Sequence, residues 1–67
     1  MKTVKTNKYP SLIYSNEKAA QEDADKFNVN ICKIIHVSEW NGETQETCIG
    51  YGLYDGKLLS TKDFTYV

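Results

Sequence analysis

The apolar positions change their spacing once along the chain, near residue 28. Before that point Ala20, Ala24 and Phe27 recur at i, i+4 and i+7 within EKAAQEDADKF, a run of helix formers without Gly or Pro. Ser15-Asn16 stands just ahead of it, and either side chain can accept from the free amides of a first helical turn. Glu17 suits the positive end of the helix dipole, and Lys26 the negative end. Asn28 tolerates the left-handed conformation that stops a helix. The spacing therefore predicts a helix over 17–27, with its alanines packed closely on a sheet.

From Val29 to Val37 the chain is rich in Val, Ile and Cys, the composition of a strand. Asn41-Gly42 signals a hairpin, because a type I′ turn needs positive φ at both central residues. Thr44–Tyr54 reads as the returning strand. Asp55-Gly56 repeats the turn signal, and Lys57 to about Tyr66 reads as a further strand. Upstream, Ser11–Tyr14 is a short strand candidate, and Pro10 bars a central-strand position beside it. Residues 1–8 carry Lys2, Lys5 and Lys8 and suit either a flexible basic arm or an edge strand. The expected fold is α+β. One helix packs on a three- to four-stranded, mainly antiparallel sheet, in the order β-α-β-β-β.

The hairpin register admits two solutions. A two-residue loop pairs Trp40 with Glu43 and sets Ile34 against Ile49. A three-residue loop pairs Glu39 with Glu43. It gathers Val29, Ile31, Ile35 and Val37 on one face with Ile49, Tyr51 and Leu53. Burial specifies register, which favours the longer loop. Gly50 and Gly52 then share the opposite face and leave room for a neighbouring side chain or backbone.

Length narrows the function. Sixty-seven residues suit a single domain, 1–67, that buries only about 60% of its unfolded surface. A substrate cleft with its supporting shell is hard to build at that size, so we expect no enzyme. All eight basic residues are Lys, the acidic residues number nine, and the net charge is −1. Without Arg forks or a positive field, a dedicated nucleic-acid binder is disfavoured. No apolar run approaches 18 residues, and MKTVKTNK lacks the apolar core of a secretory signal. Two Cys make no disulfide framework. These features fit a soluble, cytoplasmic protein without membrane contact.

Candidate chemistry is thin. Cys32, His36 and Cys48 are the metal-ligating types, but Cys32 and His36 stand roughly 13 Å apart along a strand at the usual rise, too far to share an ion. There is no nucleophile elbow, phosphate loop or HExxH pair. We expect neither metal nor cofactor. Acidic residues fall in two groups, Glu17, Glu22, Asp23 and Asp25 on the helix and Glu39, Glu43 and Glu46 around the first turn. Either group keeps a small domain in solution or meets a basic patch on a partner.

Eight aromatic residues exceed what so small a core can hide. Trp40 and Tyr54 flank turns, and both residue types are enriched at binding hot spots. Trp40 suits two roles, a cap folded over the end of the sheet or a contact residue ringed by Glu39, Glu43 and Glu46. Phe64 and Tyr66 lie on the expected last strand, whose edge would be open to a foreign strand or a second copy of the chain.

The expected work is therefore binding. It is that of a small inhibitor or adaptor for a protein partner with a basic patch, of the kind found among phage and mobile-element accessory proteins. Trp40, Glu39, Glu43, Glu46 and Tyr54 would make the contact, with Glu22, Asp23 and Asp25 on the helix or Phe64 and Tyr66 on the edge. Two alternatives are a homodimer and a nucleic-acid module. The latter would use the N-terminal lysines and a sheet face bearing Tyr51, Phe64 and Tyr66 beside Lys33, Lys57 and Lys62.

Overall fold

The computed structural model describes residues 1–60. Its elements run β1 (Lys2–Thr6), α1 (Glu17–Phe27), β2 (Asn30–Trp40) and β3 (Glu43–Tyr54). The strands form one sheet in the order β1-β2-β3, with β1 parallel and β3 antiparallel to the central β2. The fold is thus α+β, one helix on a three-stranded mixed sheet.

The helix starts and stops where its caps dictate. The Asn16 side chain accepts from the amide of Ala19 at 2.8 Å. Asn28 takes the left-handed conformation at φ 57°, and its own amide turns back to the carbonyls of Ala24 and Asp25. Ala20 and Ala24 are fully buried, and their small side chains let the backbone approach the sheet. Removing the N-cap oxygen with Asn16→Ala should cost about 1 kcal/mol in urea unfolding, with the helix otherwise retained.

The strand before the helix is not Ser11–Tyr14. It is Lys2–Thr6, which pairs with β2 from Lys2↔Cys32 to Thr6↔His36. Of the segment 11–14, only Tyr14 pairs, exchanging two backbone hydrogen bonds with Tyr51 at 2.7 and 2.9 Å on the outer edge of β3. After β3 the chain turns through Asp55-Gly56-Lys57 and makes one bridge, Tyr54↔Leu58. The rest of the expected last strand, with Phe64 and Tyr66, lies outside the described residues.

The hairpin loop is the shorter one. Asn41 and Gly42 have φ of 51° and 79°, and Trp40 pairs with Glu43. The positive φ available to Asn-Gly outweighs the burial argument for a longer loop. Burial is satisfied farther down the ladder. Ile34 pairs with Gly50 but Ile35 with Cys48, so Ile49 is an extra, bulged residue. The bulge shifts the register by one and sets Ile31 opposite Leu53. On that face Leu53, Ala24 and Leu59 form the core, with Leu12, Tyr14, Phe27, Val29 and Ile31 packed around them. Gly52 faces the other way, against the terminal methyls of Ile34 and Leu58.

Candidate functional site

The hairpin reaches beyond the body it is rooted in. β1 stops opposite His36, and the Tyr14 and Leu58 bridges cover the edge of β3 only from Tyr51 onward. Beyond those points, among the described residues, β2 and β3 continue as a two-stranded ribbon to the Asn41-Gly42 turn. Every residue from Ser38 to Cys48 is exposed. The ribbon makes the molecule elongated, 45 × 22 × 19 Å.

Trp40 stands at the tip of this arm and is 69% exposed. It does not fold over the sheet, so the role of a core cap is excluded. The reason is geometric: the two-residue turn leaves Trp40 a full ribbon-length from the nearest core residue.

The strand pairing sorts the arm into two faces. Trp40, Ser38 and His36 share one with Glu43, Gln45 and Thr47. Glu39 and Val37 share the other with Thr44 and Glu46. The expected ring of three glutamates about Trp40 therefore does not form. Glu43 sits directly across from Trp40, whereas Glu39 and Glu46 point away from it. Glu46 is also engaged, in an ion pair with Lys5 Nζ at 2.6 Å. Both partners are about half exposed, so the pair contributes under about 1 kcal/mol.

The remaining predicted contact residues lie elsewhere. Tyr54 pairs with Asn30 at the root of the hairpin, and the Lys2 ammonium stands 5.2 Å from its ring centre. With Met1, Glu17, Gln21, Asn30 and Ile31, these two residues line an open cleft of about 450 Å³. On the helix, Glu22 and Asp25 are exposed, and Asp25 accepts from Gln21 Nε2 at 2.8 Å. Asp23 is half-buried and accepts from the Tyr14 hydroxyl at 2.5 Å, which ties the helix to the β3 edge. The acidic residues of helix and arm thus form no common surface.

Two contacts on the arm escaped the sequence reading. Tyr9 stacks on His36 with ring centres 4.4 Å apart, and Lys5 reaches Glu46. Both depend on the parallel pairing of β1 with β2, which no local signal announces. Cys32 is fully buried, and burial pushes its thiol up, partly offset by a backbone hydrogen bond from Gly52. A thiol held protonated is a poor nucleophile. Cys48 lies opposite Ile35 on the exposed arm, away from Cys32, and both are free thiols. Among the described residues no group of His, Cys, Asp and Glu converges as a metal site, and no helix is long and apolar enough to cross a membrane.

Comparison with known protein families, with curated proteins and with solved structures finds no match.

Proposed function

We propose that the protein works by binding another protein, as a non-catalytic inhibitor or adaptor, and that the β2–β3 arm with Trp40 at its tip is the contact element. The observation that carries this reading is the 69% exposure of the chain's single Trp on an arm with no core beneath it. A large apolar ring held in water is disfavoured unless a partner buries it. Trp is also the residue type most enriched at energetic hot spots. The charge distribution agrees. Between Ile34 and Gly56 there are Glu39, Glu43, Glu46 and Asp55 and no Lys. Such a field suits a basic patch on a protein and repels a phosphate backbone. Two of the N-terminal lysines that would serve nucleic acid are already engaged within the chain, Lys2 over Tyr54 and Lys5 on Glu46. We assign the work to the cytoplasm, where two free thiols persist.

The test compares the tagged wild-type chain with Trp40→Ala in capture from host lysate, with nuclease added. The wild type should retain a stoichiometric protein that resists nuclease, and Trp40→Ala should lose it, a cost of roughly 2 kcal/mol or more in binding. The variant's folding stability should stay within about 0.5 kcal/mol of wild type, since the ring touches no core. Capture that is indifferent to Trp40, or that vanishes with nuclease, would refute the reading.

A further inference from the structure

We infer that the arm captures a basic, extended segment of its partner by strand addition along the outer edge of β3, with a cationic side chain held between Trp40 and Glu43. The inference rests on the reading of the arm as the contact element and specifies what it contacts. Three observations carry it.

The first is an open backbone edge. In a ladder closed by a two-residue turn, the residues of Trp40↔Glu43, Ser38↔Gln45 and His36↔Thr47 bond to each other across the ribbon. The alternate residues Thr44, Glu46 and Cys48 then turn their amides and carbonyls outward. Among the described residues no strand pairs with that edge before Tyr51. A segment of about six residues finds a full set of donors and acceptors there.

The second is the pair at the tip. Trp40 and Glu43 are directly opposed on one face. An aromatic face attracts a cation, and a carboxylate beside it completes the site for guanidinium or ammonium. Neighbouring strands lie about 4.8 Å apart, so an added strand would run roughly 10 Å from Trp40, with Glu43 between them. An extended Arg or Lys side chain and an indole together span that gap.

The third is the sign of the edge. Glu43 and Glu46 lie on it, Glu46 matched by Lys5 of β1, and no Lys occurs from Ile34 to Gly56, so the charge at the tip is that of Glu43. A second copy would bring two negative edges together, and like charges across a strand pair are unfavourable. A basic strand matches the field.

The probe is a capped octapeptide of alternating Arg and Thr, titrated into the full chain at physiological salt. The fluorescence of Trp40, the single Trp, is the signal. Binding should saturate with an emission shift. Replacing each Arg by citrulline, which keeps the shape and removes the charge, should weaken it at least tenfold. N-methylation of alternate peptide amides, which blocks the ladder and keeps the charge, should do the same. Glu43→Gln should weaken it by roughly threefold to tenfold at an unchanged melting temperature. Equal binding of the Arg and citrulline peptides, indifference to N-methylation, or no saturable signal would overturn the inference. If the peptide fails while Trp40-dependent capture from lysate persists, strand addition alone falls and the contact role of the arm stands.

Discussion

Gly50→Ala should be severely damaging for a substitution that adds a single methyl group, lowering stability by roughly 3–5 kcal/mol. Gly50 follows the bulged residue Ile49 and has φ +144°, a conformation that L side chains rarely adopt. Imposing a side chain there costs about 1–3 kcal/mol in backbone strain. Space is the second obstacle. A Cβ would stand 2.5 Å from the carbonyl oxygen of Tyr14 and 2.8 Å from Cγ2 of Ile13. That carbonyl accepts from the Tyr51 amide, so moving it breaks the pair of bonds that fastens the 11–14 segment to β3. Each bond is worth about 1 kcal/mol net. A 67-residue domain has on the order of 3–10 kcal/mol in total, so much of the protein should unfold. Urea unfolding with Gly42→Ala as the control isolates the cause. Gly42 also has positive φ, but nothing lies within 4 Å of its Cβ position. The control should lose only about 1–2 kcal/mol. Equal losses for the two variants would mean that Tyr14 does not lie against β3 as described.

Gly50 also marks the boundary of what the sequence makes legible. The helix could be read residue by residue, because Asn16, the alanine spacing and Asn28 act within one or two turns of chain. The Asn41-Gly42 turn is equally local, but its loop length differs from the one that the apolar pattern predicts. Counting apolar residues per face favoured a three-residue loop, since only that loop appeared to bring Ile31 and Leu53 together. The molecule keeps the two-residue turn that Asn-Gly prefers and corrects the register at Ile49 instead. A bulge follows from the sum of distant pairings and leaves only a weak trace in the sequence, here a glycine beside it. The parallel pairing of β1 was hidden for the same reason. Lys2–Thr6 is neither strongly apolar nor alternating, and its partner lies about thirty residues away along the chain.

The candidate site divides along the same line. Trp40 beside a turn was visible as a lead, and its exposure follows from the length of the ribbon past the end of β1. Which glutamates accompany it was not visible, because side-chain faces depend on register. A shift of one residue takes Glu43 off the face of the indole and brings Glu46 onto it. The grouping of Tyr54 with Trp40 failed on distance. Both flank turns, but the turns close opposite ends of β3. The core supports the arm without touching its tip, so mutations in the two places should separate folding from binding.

Leu53→Ala should show that separation from the side of the core. Leu53 is fully buried, faces Ile31 across the ladder and joins Ala24 and Leu59 in the central cluster. Truncation removes buried methyl groups and leaves a cavity, a change that costs about 2–5 kcal/mol. Relaxation into the cavity is restricted on two sides. Ala24 belongs to a helix tied to the 11–14 segment by the Tyr14–Asp23 bond, and the Leu59 amide is bonded to the Leu53 carbonyl at 2.9 Å. The loss should therefore fall toward the upper half of that range. Leu53→Met, which nearly conserves volume, should lose less than about 1.5 kcal/mol. Urea unfolding followed by far-UV circular dichroism checks both variants. A loss under about 1 kcal/mol for Leu53→Ala would place the core elsewhere. At a temperature where Leu53→Ala remains mostly folded, its capture of the partner should match wild type once corrected for the folded fraction, because the tip of the arm does not touch the cavity. Trp40→Ala should do the reverse, folding as wild type and failing to capture. If the two variants lost capture in proportion to their stability alone, the arm would be a passive extension of the core and Trp40 would have no share in recognition.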